Sequence, residues 1–218
     1  SIAANSDDAE EDDCASVKLN NGKIELGKMP WCGLRFRSVT IPHGATITSA
    51  YVEFTSENKS NKNTDLTVFG DDVDSSAAFS DSNKLSTRAM TSAAVNWANV
   101  EKWKKDQTNR TPSLVAVIQA IVDRSDWTSG NNLSVLIRSD KKSGERLAWS
   151  RDGAPSKVAV LHVEYSTAPK VYYVRPDGND ANTGEGASAA EAWQSAAAAS
   201  NKSLAPGDVV RVMTGSYT

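Results

Sequence analysis

Histidine and cysteine, which carry much of enzyme chemistry, are scarce in this chain of 218 residues: there are two of each. His43 and His162 lie far apart in the sequence, which argues against a zinc site. Isolated glycines cannot form a phosphate-binding loop, and no nucleophile motif is present. No acid–base pair can be assembled by spacing either. We therefore predict that residues 1–165 are not catalytic.

Long apolar runs and a large net charge are also missing. No stretch approaches the roughly 18 consecutive apolar residues of a membrane span, and the formal net charge is −3. No motif with a basic helix or an aromatic RNA-binding strand is present. We therefore expect an ordinary globular monomer that has no membrane or nucleic-acid partner.

Cys14 and Cys32 are the two cysteines, and their polar, turn-like flanks are unusual for buried free thiols. The sequence therefore predicts a disulfide between them, which would stabilise the fold by roughly 3 kcal/mol. Such a bond indicates an oxidising compartment, so we expect a secreted protein. The alternative is that both are free thiols on neighbouring strands.

Residues 1–165 contain short alternating patterns separated by polar turns, which predicts an all-β fold, an antiparallel sandwich. In Gly33–Ile41 the alternation slips near Ser38, which predicts a bulge there. Further strands are predicted at Thr46–Thr55, Leu66–Phe69, Leu133–Ile137, Arg146–Ser150 and Val158–Tyr165. These are enough strands for two packed sheets.

One short helix interrupts the strands. Thr111 supplies a capping hydroxyl ahead of Pro112, and proline suits the first helical position. Apolar residues then recur on one face, at Leu114, Val117, Ile118 and Ile121. We expect this helix to cover an open end of the sandwich.

A second fold begins after a short linker, residues 166–170, whose proline favours extended geometry. Residues 171–218 open with a β-rich tetrapeptide and a cluster of turn residues. About fifty residues are near the lower limit for independent folding. We therefore interpret this segment as the incomplete start of a larger domain.

The second segment also carries a helix and a strand pattern. Ala189–Ser200 is alanine-rich and predicts a helix anchored by Trp193. After a turn at residues 206–208, Val209–Met213 has the pattern of a buried strand.

Charged residues are unevenly distributed along the chain. An acidic run over residues 7–13 precedes a basic cluster of Lys18, Lys23, Lys28, Arg35 and Arg37, which is interrupted by Glu25. A second basic cluster contains Arg138, Lys141, Lys142, Arg146 and Arg151. Trp31 and Trp149 lie beside these clusters.

On one interpretation, the two basic clusters meet on one surface that binds an acidic polysaccharide. Arginine holds carboxylates or sulfates in a planar, bidentate manner, and lysine adds point charges. A tryptophan such as Trp149 offers an aromatic face to a sugar ring. Alternatively, the charged runs form a solvated surface and the tryptophans belong to the core.

The loop that follows Phe69 gathers three carboxylates, Asp71, Asp72 and Asp74. Carboxylate oxygens are the ligands that calcium prefers, so these residues are candidates for a structural Ca²⁺ site. Their spacing is not that of an EF-hand. Exposed aspartate-rich turns without a metal are the alternative.

Several segments resemble the β-jelly-roll modules of secreted polysaccharide-degrading enzymes, most closely carbohydrate-binding module family 96. The segments are Asp7–Glu11, Ile24–Leu26, Gly33–Phe36, the Ile-Pro-His-Gly-Ala-Thr-Ile block at Ile41–Ile47, Ser150–Gly153 and Leu161–Tyr165. The resemblance covers about residues 5–165. It implies a jelly roll that binds chains such as alginate without cutting them, with Arg35 and the Arg138–Arg151 region holding the acidic groups.

The second segment resembles the entry cap of a right-handed parallel β-helix, the scaffold of pectate-lyase-like enzymes. The likeness lies in Tyr172–Asp180, in residues 206–212 and in Gly215–Tyr217. It implies a solenoid that needs several further rungs before its core is continuous.

We therefore expect a non-catalytic module that binds an acidic polysaccharide, either a uronate polymer or a sulfated galactan, and targets an attached β-helical polysaccharidase to it. One alternative is an extracellular adhesion or spacer domain that binds no sugar. Another is a lyase built on the sandwich itself, in which residues such as Tyr51 deprotonate a uronate.

Overall fold

Short β-strands make up most of the regular structure. The computed structural model describes residues 1–141, 144–202, 204 and 207–217, with the backbone alone for Lys141. The described residues form two compact units, Ser1–Ser166 and Thr167–Thr218. The strands are β1 (Asp8–Glu11), β2 (Val17–Lys18), β3 (Lys23–Leu26), β4 (Trp31–Phe36), β5 (Thr46–Thr55), β6 (Asp65–Asp71), β7 (Met90–Trp97), β8 (Thr108–Arg110), β9 (Leu133–Lys141), β10 (Arg146–Trp149), β11 (Val160–Ser166), β12 (Val171–Val174) and β13 (Val209–Val212).

Helical structure in the described residues is brief. It consists of a 3-10 turn at Asn5–Asp7, α1 (Val115–Val122) and α2 (Ala196–Ser200). Neither helix in this part of the chain has the length and apolar character needed to cross a membrane.

The first unit is a β-sandwich, as predicted. One layer is a six-stranded antiparallel sheet in the order β2-β1-β4-β9-β6-β7. The other contains the sheet β11-β5-β8 and the pair β10-β3, which are joined by a bridge between Ser56 and Ala148. Inward residues of both layers, such as Leu34 and Val68 from one and Phe54 from the other, form a single core.

Strand β5 has the predicted bounds, and its inward residues are Ile47, Ala50, Val52 and Phe54. The step from Ile47 to Ala50 is three residues instead of two. Opposite it, Glu164 pairs with Ser49 and Tyr165 pairs with Ile47, so Thr48 has no partner in the ladder. This bulge keeps the inward face apolar on both sides of the irregularity.

The predicted strand Gly33–Ile41, with a bulge at Ser38, is wrong in its bounds. Strand β4 runs from Trp31 to Phe36, and Ser38 has a left-handed backbone with φ of 50°. The strand ends there because an ordinary pleated ladder cannot continue through such a residue.

Helix α1 begins later than predicted. The Thr111 hydroxyl accepts a hydrogen bond from the Val52 backbone amide (3.1 Å) and does not cap the helix, which starts at Val115. The predicted apolar stripe is nonetheless confirmed: Leu114, Val117, Ile118 and Ile121 are completely buried. The helix packs against β5 of one layer and β6 and β7 of the other.

The second unit is described by itself. Strand β12 pairs in parallel with β13, and Tyr172 stacks on Trp193 with ring centroids 5.2 Å apart. Helix α2 is shorter than predicted, so Trp193 precedes it instead of lying on it. The interpretation of Val209–Met213 as a buried strand is wrong in this unit, because Val209 and Val212 are exposed.

Most of the acidic run is interior, with Asp7 at the end of the 3-10 turn and Asp8–Glu11 forming β1. Asp7, Asp8, Glu10 and Glu11 are each at most 4 % exposed, which is unusual for carboxylates. Glu11 accepts hydrogen bonds from the Ser86 amide (2.9 Å) and hydroxyl (2.5 Å). Glu10 accepts one from the Asn21 side-chain amide (2.6 Å) and another from the Glu25 backbone amide. Buried carboxylates of this kind depend on such partners.

Asp8 is the least well satisfied member of this strand. Its Oδ2 accepts a hydrogen bond from the Arg151 backbone amide (2.7 Å), but its Oδ1 is buried with no hydrogen-bond partner in the described structure. Burial, reinforced by the nearby Asp152 and Asp7 charges, raises the pKa of Asp8 to about 6. The ionised form is therefore destabilising at neutral pH.

We predict that Asp8→Asn stabilises the fold relative to the native protein, and that this stabilisation is larger at alkaline pH than at acid pH. The folded-state pKa of Asp8 is above the ordinary value, so protonation favours folding, and this contribution is lost as pH rises through about 6. The difference in unfolding free energy between variant and native protein should grow by at most about 3 kcal/mol between about pH 4 and about pH 8. Urea unfolding at several pH values measures it. Asp126→Asn, which changes an exposed carboxylate, is the control; a pH-independent difference for Asp8→Asn would refute the assignment.

Candidate functional site

Two of the predicted arginines are held by Asp7, the buried carboxylate at the end of the 3-10 turn before β1. Arg35 Nη1 lies 2.6 Å from Asp7 Oδ1, and Arg37 Nε lies 2.7 Å from Asp7 Oδ2. Arg35 also donates its Nε–H to the Ser76 carbonyl (2.8 Å) and is only 9 % exposed. The prediction that Arg35 belongs to a ligand-binding surface is therefore wrong, because its guanidinium neutralises a buried carboxylate.

Lys23 and Lys28 share one carboxylate. Their Nζ atoms lie 3.2 Å and 2.8 Å from Glu25 Oε1. Burial tends to raise the pKa of Glu25, but the hydrogen bonds from the two lysines outweigh it and lower that pKa. Both lysines remain partly exposed, so part of their charge still faces solvent.

Arg146 is interior, and its predicted place on a binding surface is wrong. It is 1 % exposed and donates to the carbonyls of Glu101 (2.5 Å), Lys62 (2.8 Å) and Glu145 (2.9 Å), and to that of Val100. Burial lowers the pKa of its guanidinium. Backbone carbonyls therefore take the place of the acidic ligand that was expected.

The remaining predicted residues do not form one surface. Trp149 is half-buried, with Lys157 Nζ 5.7 Å from its ring centre. Arg151 binds Asp8 through its backbone amide. The side chain of Lys141 and the whole of Lys142 lie outside the described residues. Among the members that the structure describes, the two basic clusters therefore do not meet as a set of free cations.

The carboxylates of the predicted calcium site have arginine partners. Arg88 pairs with Asp71, and Arg124 lies 2.5 Å from Asp72 and 2.7 Å from Asp74. In the described part of the chain, no group of three or more His, Cys, Asp or Glu residues could hold a metal ion. The three aspartates of this loop therefore form ion pairs with arginines, where the sequence predicted calcium ligands.

The predicted disulfide is not formed. Both cysteines are free thiols, Cys14 in an exposed turn and Cys32 in the core. Cys32 points inward from β4, where burial raises its pKa well above the ordinary value. The alternative of two free thiols describes the structure.

Arg138 lies with two aromatic residues on the outward face of the six-stranded sheet. Three neighbouring strands supply them: Trp31 from β4, Arg138 from β9 and Phe69 from β6. The Trp31 and Arg138 positions pair directly across the ladder. The Arg138 guanidinium carbon is 5.2 Å from the Phe69 ring centre and 6.0 Å from that of Trp31. The two ring centroids are themselves 6.2 Å apart, so a planar cation lies beside a pair of neighbouring rings on one sheet face.

The Arg138 guanidinium is fixed at one end only. Its Nε–H donates to Asp140 Oδ1 (3.0 Å), and the Thr67 hydroxyl donates to Asp140 Oδ2 (2.5 Å). Within the described residues, its terminal nitrogens have no hydrogen-bond or ion-pair partner. A guanidinium has five N–H donors, so this side chain is pre-positioned with its outer donors available.

The rings are supported from below. Trp31 and Phe69 are half-buried and pack against a small apolar cluster that contains Leu136, Phe79 and Leu85. The Arg138 side chain is 46 % exposed. The face therefore combines a rigid aromatic base with an accessible cation.

Sequence reasoning identified Trp31 and Arg138 but missed Phe69, Thr67 and Asp140. The signal was present in the strand Leu66–Phe69. Because alternation puts Leu66 and Val68 inward, it puts Thr67 and Phe69 on the opposite, outward face. What the sequence does not show is that β9 lies between β4 and β6, which brings both rings close to Arg138 and to each other.

No protein-family model matches the chain, and comparison with curated protein sequences gives no significant match.

We predict that Arg35 and Arg37 differ in their contribution to stability although both contact Asp7. Arg35→Ala leaves a buried carboxylate poorly compensated and should cost about 3 kcal/mol. Arg37, whose side chain is 42 % exposed, forms a more solvated pair. Arg37→Ala should therefore cost about 1 kcal/mol or less.

Urea unfolding of the two variants at neutral pH measures both costs. Equal losses would contradict the assignment of Arg35 as the principal partner of Asp7.

Proposed function

We propose that the first unit binds an acidic polysaccharide without cleaving it, and that Arg138 contacts an acidic group of the sugar. The observation that carries the proposal is the Arg138 guanidinium, which Asp140 fixes at Nε and which lies beside the rings of Trp31 and Phe69 with its outer donors available. Such a fork matches a carboxylate or sulfate in a bidentate manner.

The aromatic rings add an apolar component to this site. A sugar ring has an apolar C–H face that can pack on Trp31 while its acidic group contacts Arg138. Asp140 is engaged by Arg138 and Thr67, so its carboxylate acts as an anchor for the cation. An open sheet face of this kind suits a chain that extends past both ends of the site.

We also propose the finer assignments implied by family resemblance. The first unit would be a jelly-roll module that targets an attached β-helical polysaccharidase, in a secreted protein. The parallel pairing of β12 with β13, with α2 between them in the chain, supports the proposal that the second unit opens a β-helix. Calcium binding remains a weaker proposal, because arginines already neutralise the carboxylates suggested for it.

An adhesion or spacer role is the second candidate. The observation that favours it is the internal use of charge, since Arg35 and Arg146 are buried and Lys23 and Lys28 share Glu25. A charged surface would then serve solubility. Failure to bind any anionic polysaccharide would support this role.

The lyase alternative has a partial basis in the structure. Tyr51 stacks on His162 (ring centroids 4.7 Å apart), and the Arg110 guanidinium lies 4.5 Å from the Tyr51 ring centre. These contacts are made by ring faces, and they give the Tyr51 hydroxyl no hydrogen-bonded base. Unsaturated, ultraviolet-absorbing products after incubation with polyuronates would favour this alternative.

We predict that Arg138→Ala and Trp31→Ala each weaken binding to a polyuronate about 10- to 100-fold, because each removes a charge-assisted or aromatic contact with the sugar. Affinity electrophoresis in gels that contain the polysaccharide measures the change.

Arg110→Ala is the matched control. Arg110 also lies over an aromatic ring and pairs through Nε with a carboxylate, Glu53 Oε2 at 3.1 Å, but on the opposite layer. Native-like binding by Arg138→Ala, or an equal loss for Arg110→Ala, would contradict the proposed site.

A further inference from the structure

A groove of about 340 Å³ opens on the first unit and shares no residue with the Arg138 site. Three lysines line it, Lys28, Lys59 and Lys62, and Glu145 is the acidic residue in the lining. Sequence reasoning singled out Lys28 alone among them. The groove is therefore a cationic site assembled from segments that are distant in the sequence.

Backbone pairing brings a fourth lysine beside the groove. Ser60 and Trp103 exchange two backbone hydrogen bonds, of 3.0 Å and 3.1 Å, in an antiparallel bridge, and both residues are buried. Their neighbours Lys59 and Lys104 are therefore opposite one another, and both are exposed. Like charges directly opposite each other destabilise a strand pair.

These lysines have few acidic partners. In the described residues, Lys59, Lys62 and Lys104 form no ion pair, whereas Lys28 shares Glu25 with Lys23, and Glu145 is the carboxylate in the lining. Solvent screens much of the repulsion between exposed lysines in the free protein. Their ammonium groups keep donors available for an anion in the groove.

The walls of the groove are closely packed. A Cβ on Gly144 would lie 2.5 Å from the Asn63 carbonyl oxygen, so the segment that carries Lys62 packs against Gly144 at a distance that requires glycine. Beneath them, buried Arg146 donates to the carbonyls of Lys62 and Glu145. Arg146 is thus a positioning residue that joins the two walls and adds a buried positive charge.

We infer that this groove binds a tetrahedral oxyanion, such as a sulfate ester on an acidic polysaccharide. Lysine ammonium groups are compact point charges with rotatable donors, so several of them can surround the oxygens of one sulfate. A planar carboxylate is better matched by the fork of Arg138. The two sites would then differ in the acidic group that they take.

The test uses inorganic sulfate as the probe, so it does not depend on the Arg138 site. Sodium sulfate at low millimolar concentration, compared with sodium chloride at equal ionic strength, should raise the melting temperature of the native protein in a saturable manner. Lys59→Ala/Lys62→Ala should bind sulfate about tenfold more weakly and lose this rise. Lys84→Ala/Lys202→Ala removes the same charge outside the groove and should retain it.

A second arm distinguishes the two proposals. Affinity electrophoresis compares a sulfated galactan with its desulfated form and with a polyuronate. Lys59→Ala/Lys62→Ala should lose the preference for the sulfated galactan and retain polyuronate binding. An equal sulfate response in both double variants would overturn the groove and leave the Arg138 site intact. If Arg138→Ala binds the polyuronate as tightly as the native protein, and sulfate still raises the melting temperature, the Arg138 site alone would be overturned.

Discussion

The burial of the carboxylates of Asp7, Asp8, Glu10 and Glu11 is the constraint on which the arrangement of charge in this protein depends. A carboxylate that leaves water must gain partners, and Asp7 obtains them from Arg35 and Arg37. Arg35, which stands out in the sequence, is consequently part of the interior. The proposed binding would depend on those cations that the interior does not use.

Arg138 and two of the groove lysines, Lys59 and Lys62, belong to this remaining group. Arg138 is oriented by Asp140 without being enclosed by it, because Asp140 engages the Nε side of the guanidinium. Lys62 lies on a loop that buried Arg146 joins to the segment of Glu145 through their backbone carbonyls. In both places an interior or anchoring interaction fixes the position of a positive charge. Solvent or a ligand then accepts the remaining hydrogen bonds of that side chain.

The sandwich was predictable from the sequence because its strands carry a strong alternation. Thr46–Thr55 is one example, and its irregular step was visible in the spacing of Ile47 and Ala50. The start of α1 was not predictable, because Thr111 has a partner in Val52 that only the tertiary fold provides. Ser38 was recognised as an irregular position, but the sequence does not show whether the ladder bulges or ends there.

The candidate site was less predictable than the fold. Charge clusters in a sequence do not indicate which members are buried, and Arg146 lies in a cluster with Arg138 although one is interior and the other exposed. Lys59 and Lys104 are brought together by a pairing of two loops that carry no strand signal. Sheet order and loop pairing are therefore the information that the sequence alone did not supply.

The account is tested most directly by ¹⁵N nuclear magnetic resonance of the arginine side chains during titration with a uronate oligosaccharide. It predicts that the Arg138 guanidinium resonances shift in a saturable manner while those of Arg35 stay in place. Saturable binding with an unchanged Arg138 signal, or with shifts at Arg35 instead, would contradict it.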